Sequence, residues 1–62
     1  MTQWDVTIEA SKDGKILPRE RWVERVSAVD IIAARTEAVV KARQKKPYYL
    51  LYETTTILEV KI

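Results

Sequence analysis

Between Trp4 and Ala10 every second residue is apolar, with Trp4, Val6, Ile8 and Ala10 alternating against Asp5, Thr7 and Glu9. A period of two marks a strand with one buried face. The turn signal Asp13-Gly14 follows, and then a second segment, from about Glu20 to Ala28, that is apolar at Trp22, Val26 and Ala28. Opposed residues of an antiparallel pair share a face, and their numbers sum to a constant. A two-residue turn at Asp13-Gly14 fixes that sum at 27 and sets Arg19 and Arg21 among core residues. Placing Val26 opposite Trp4 or Val6 gives 30 to 32 instead and leaves roughly Ser11 to Arg19 as a loop with Asp13-Gly14 as a local turn. Pro18, which has no N–H for a ladder, fits in that loop. Glu24 then falls on the buried side, unless a bulge near it brings Val23 and Val26 to one face.

After Ala28 the period changes. Asp30 is a helix cap, and Ile31, Ala34, Ala38 and Ala42, joined by Ile32 and Val39, form one stripe at helical spacing over about Asp30 to Gln44. Arg35 lies inside that apolar arc and is expected to snorkel past a sheet edge. Lys41, Arg43, Lys45 and Lys46 complement the helix dipole, and Pro47 ends the helix. The segment from Tyr48 to Ile62 is β-branched and aromatic, with Leu50, Tyr52, Thr54, Thr56, Leu58, Val60 and Ile62 on one side. It reads as one long bent strand, or as two strands split near Thr54-Thr55.

Strand, strand, helix, strand has few compact solutions. The expected fold is a single α+β domain over residues 1–62, a ββαβ unit with a three-stranded antiparallel sheet of order 2-1-3 and the helix packed on one face. The uncovered face is then expected to carry Gln3, Asp5, Thr7 and Glu9, Arg21, Val23 and Arg25, and Tyr49, Leu51, Glu53, Thr55, Ile57 and Glu59. Acids flanked by arginines suit a solvated face neutralised by cross-strand pairs. Val23, Tyr49, Leu51 and Ile57 do not, and they form the candidate self-association surface of a homodimer.

Composition narrows the chemistry. Sixty-two residues leave no room for two lobes around a cleft. The absence of cysteine and histidine removes thiolate nucleophiles, imidazole catalysis and the common zinc ligand sets. Eleven basic against nine acidic side chains give a net charge of only +2, short of a polyelectrolyte-binding balance. No catalytic residue, cofactor, metal or small-molecule substrate is expected; a buried Glu24 acting as an acid is the one catalytic alternative to a paired Glu24. The start of the chain lacks the basic and apolar regions of a signal peptide, and the longest apolar run, Tyr48 to Tyr52, is too short to span a membrane. A cytoplasmic protein without membrane contact is the expectation.

Two partner surfaces compete. The loop residues Lys12, Lys15, Ile16, Leu17 and Arg19 mix charge with apolar anchors, which suits a protein partner, although Ile16 and Leu17 folding back over the core explains them as well. Lys41, Arg43, Lys45 and Lys46 next to Tyr48 put cations beside a stackable ring, the alternative for RNA or DNA. The layout, with Trp4-x-Val6-x-Ile8 first and Val26-Ser27-Ala28-x-Asp30 leading into a helix with Ala34, Ala38 and Ala42, resembles in spacing two kinds of small protein. These are the podophage inhibitors of host RNA polymerase and a small archaeal ribosomal protein of the same strand-helix order. The resemblance implies a phage-type effector that docks on a host protein, or an RNA-associated module, and carries over no site residue. The expected function is a non-enzymatic protein-interaction module, with nucleic-acid binding as the alternative.

Overall fold

A computed structural model describes residues 1–14 and 19–61. It contains β1 (Thr2–Ser11), β2 (Glu20–Ala28), α1 (Ile31–Lys45) and β3 (Leu51–Glu59). The sheet is antiparallel with order β2-β1-β3, and the helix lies on one face. No described helix is long and apolar enough to cross a membrane. β1 and β2 pair without interruption from Thr2 opposite Ala28 to Ala10 opposite Glu20, a constant sum of 30. A bulge at Glu24 is therefore excluded: Val23 opposes Thr7 on the open face, and Glu24 opposes Val6 on the helix side. Gly14 supplies the positive φ, 78°, that the Asp13-Gly14 turn requires.

α1 begins where Asp30, in extended conformation, accepts the Ala33 N–H on its carboxylate at 2.8 Å. Ala34, Ala38 and Ala42 are 0% exposed and meet Val6, Ile8, Val26 and Ala28 of the sheet. Three methyl side chains let the helix backbone come close. Larger residues, Trp4, Trp22, Val39, Tyr52 and Ile57, pack around the margin of this thin core, and the Trp4 indole donates to the Ala28 carbonyl at 3.1 Å. Ile31 and Ile32 do not join the stripe as expected. Both are exposed, because burial of the helix begins only at Ala34, one turn in. Arg35 is exposed too.

β3 departs furthest from expectation. It starts at Leu51 rather than Tyr48, because residues after Pro47 form a turn in which the Leu50 N–H donates to the Ser11 carbonyl at 2.9 Å. Its pairing with β1 then slips: Ile8 opposes Thr54 while Thr7 opposes Thr56, leaving Thr55 as a bulged residue. One extra residue reverses the side-chain alternation beyond it. Ile57 and Glu59, expected on the open face, therefore oppose Val6 and Trp4 on the helix side, and Ile57 packs against the core. Leu58, expected inside, opposes Asp5 on the open face and is 61% exposed.

The close helix-sheet approach makes a direct prediction. Ala38→Leu forces extra methylenes into a filled contact and should destabilise by about 1–3 kcal/mol. In a chain this short that lowers Tm by about 4–8 °C per kcal/mol, measurable by thermal circular dichroism. Ala38→Ser should cost clearly less, and equal losses would refute the steric account.

Candidate interaction surface

The register sets acid against base across the open face. Asp5 and Arg25 are direct partners at 2.8 Å, and Arg21 binds Glu9, also its direct partner, at 2.5 Å. On the other side Glu9 faces Glu53 of β3, two like charges directly opposed. Arg19 resolves this by bonding both, Glu53 at 2.9 Å and Glu9 at 3.4 Å. The hydrogen bond from Arg25 holds the Asp5 carboxyl below its ordinary value, and that from Arg19 does the same for Glu53. Arg19, expected to be a loop residue offered to a partner, is thus committed to the open face. Lys15, Ile16 and Leu17 lie outside the described residues. Lys12 lies 5.5 Å from the Tyr48 ring centre.

The basic helix end is similarly engaged. Lys41 donates to the Arg25 carbonyl at 2.8 Å, Arg43 lies 5.3 Å over the Tyr52 ring, and Lys46 binds Glu20 at 3.0 Å while sitting 4.5 Å over Trp22. The Glu20 hydrogen bond raises the Lys46 pKa. Lys45 reaches Glu24 at 3.5 Å. Glu24 is only 2% exposed, and its main partner is the Trp22 indole, which donates at 2.6 Å. It is paired rather than free. Tyr48 is exposed, whereas Tyr49 is buried, 5.8 Å from Trp22 and 5.9 Å from Tyr52 ring to ring. The Tyr52 hydroxyl donates to the Lys46 carbonyl and accepts the Tyr49 N–H, which fixes the turn that precedes β3.

Of the four candidate self-association residues, only Val23 and Leu51 therefore lie on or beside the open face. Tyr49 and Ile57 are taken up by packing. A cleft of about 430 Å³ lies beside Tyr49, lined by Ala10, Lys12, Asp13, Arg19, Glu20 and Tyr49, and among the described residues the buried Tyr49 hydroxyl and Arg19 Nε have no hydrogen-bond partner.

The two sheet edges differ. On β2, Lys41 occupies the outward Arg25 carbonyl, and Arg21 and Arg25 project beside it. Lysine and arginine along an edge are the usual defence against strand pairing. β3 has nine residues, none of them buried, with no lysine, arginine or proline. Among the described residues no side chain hydrogen-bonds its backbone. Sequence reasoning missed Leu58, which the bulge turns outward. The one hint was Ile57, an apolar residue at an odd position directly after Thr54-Thr55-Thr56, while Leu58 and Val60 keep the even parity. No family model matches the chain, and no curated protein or solved structure matches it either.

Two predictions follow the open-face charges. Asp5 and Glu53 titrate lower folded than unfolded, so they stabilise the fold fully above the unfolded carboxylate range, about 4. That contribution is lost as pH falls through the lower folded values, and the melting temperature should drop there, less steeply in Asp5→Asn. Arg19→Ala leaves Glu9 opposite Glu53 unneutralised. Its melting temperature should fall below wild type at neutral pH and low salt, and the gap should narrow both in high salt and below the carboxylate range. A gap independent of pH and salt would show that Arg19 acts through packing alone.

Proposed function

We propose that the protein is a non-enzymatic interaction module that docks on another protein by accepting an extended segment along β3. The observation that carries this reading is the unequal treatment of the two edges: β2 has Lys41 on its outward backbone, whereas among the described residues no side chain hydrogen-bonds the backbone of β3. Strand addition draws affinity from main-chain hydrogen bonds and specificity from alternate side chains. Exposed Leu58 on one side of the edge and half-buried Ile57 on the other supply the apolar part.

The alternative, nucleic-acid binding, is less well supported. Phosphate binding draws on cations free to neutralise it, and Lys41, Arg43, Lys45 and Lys46 each already have a partner within the domain. Catalysis by Glu24 is disfavoured by its burial beneath Trp22 and Lys45.

The test is a titration followed by amide NMR, using a synthetic peptide that copies residues 54–60 as the extended strand. Shifts and slowed exchange at the Ile57 and Glu59 amides, abolished by Glu59→Pro, are the expected result. Random single- and double-stranded oligonucleotides form the second arm. Binding to them that weakens steeply with salt and is lost in the double substitution Lys45→Ala, Lys46→Ala, with no peptide response at β3, would replace this reading with the nucleic-acid one.

A further inference from the structure

Resting on the reading of β3 as a docking edge, we infer that its occupant is a second copy of the same chain, paired antiparallel about a two-fold axis at Leu58. The Val60 N–H donates to the Gln3 carbonyl at 2.8 Å, so Val60 turns its amide toward β1, and beyond the bulge Leu58 and Thr56 do the same. Because hydrogen-bonding direction alternates along an antiparallel strand, Ile57 and Glu59 point their N–H and C=O groups away from β1. Those are the groups a docking strand must meet.

Self-pairing then has few registers. Opposing Ile57 to Glu59 of the other copy matches outward groups with outward groups, twice by symmetry, and gives four main-chain hydrogen bonds. Leu58 falls opposite itself as a non-hydrogen-bonded pair, the closer kind, about 4.5 Å between Cα atoms. Opposing Glu59 to itself sets two carboxylates face to face. Opposing Ile57 to itself brings the bulged Thr55 against Glu59, where the ladder is already broken. The Leu58-centred register is the one free of both faults.

Side chains agree with it. Opposed residues share a face, so the two exposed leucines meet on the open side and the two helices lie on the other. Arg43 over Tyr52 shows which flank of α1 looks toward β3. Val39, four residues earlier, and Ile32, seven before that, lie on the same flank. Ile32, 70% exposed, therefore borders the edge at which the second copy docks.

The experiment is sedimentation equilibrium of the full chain together with the single-residue variants. Wild type is expected to show twice the 7.2 kDa monomer mass at high concentration. Leu58→Lys places a cation opposite Asp5 within one copy, which preserves the fold, and opposite its own counterpart between copies, which should raise the dimer Kd more than about tenfold. Glu59→Pro removes an outward donor but none that faces β1, and should act alike. In this cysteine-free chain, Leu58→Cys should oxidise readily to a covalent dimer, whereas Thr56→Cys, whose counterpart is Val60, should not. A wild-type monomer at high concentration that still binds the 54–60 peptide at Ile57 and Glu59 would overturn the second copy as occupant while leaving the docking edge intact. A dimer untouched by both Leu58→Lys and Glu59→Pro would overturn both.

Discussion

The distance between helix and sheet governs this domain, and Ala34, Ala38 and Ala42 set it. With methyl groups at the contact, the core among the described residues holds no leucine and no fully buried aromatic ring; its largest fully buried side chains there are Ile8, Glu24 and Val6. A small core places the bulky residues at the margin, where Trp22, Tyr49 and Tyr52 pack around the end of the helix and Trp4 closes the other. The burial of Glu24 follows from the same geometry. It stands where an apolar residue is expected, and the rim supplies what its carboxylate needs, an indole N–H at 2.6 Å and the Lys45 ammonium reaching down from the helix end. A buried carboxylate without such donors costs several kcal/mol, on the order of the whole stability of a small domain.

Charge in this protein is spent inward. The register that buries Val6 and Val26 also brings Asp5 to Arg25 and Glu9 to Arg21, so one alignment serves both the core and the neutral open face. Its one electrostatic conflict, Glu9 against Glu53, arises where β3 joins, and Arg19 answers it. The cations at the helix end are drawn to Glu20, Glu24 and aromatic rings by proximity alone. A near-neutral surface follows from these pairings, in keeping with the proposed docking through backbone and apolar groups.

Much of this was legible in the sequence. Excluding a sum of 27, because it buries two arginines, leaves 30 to 32, of which the fold takes 30, and β2 at Glu20–Ala28 and the 2-1-3 order were expected as found. The Asp30 cap and the alanine stripe were equally plain. What periodicity could not resolve was β3. A bulge depends on how a strand curves around its neighbour and on the helix above it, and these fifteen β-prone residues do not carry that information, since Leu58 and Val60 keep the even parity beyond the three threonines. The misplaced residues beyond Thr55 trace to it, with Ile57 and Glu59 turned in and Leu58 turned out, whereas Tyr49 is buried because it lies in the turn before β3. Arg19 was misread for a different reason, since proximity to Glu53, thirty-four positions away, exists only once β3 is seated.

The bulge also limits what the exposed edge can do. A long, flat, unguarded strand invites indefinite pairing, the route to fibres. Here Thr55 breaks the ladder and leaves a short straight window from Thr56 to Val60. In the dimer proposed above, that window is consumed by its own counterpart, because a two-fold pairing uses the same edge on both copies and is closed. The six-stranded sheet then ends on two β2 strands, each with Lys41 on its Arg25 carbonyl and arginines alongside. In that dimer, protection of one edge and exposure of the other form a single arrangement, in which association would proceed once and stop.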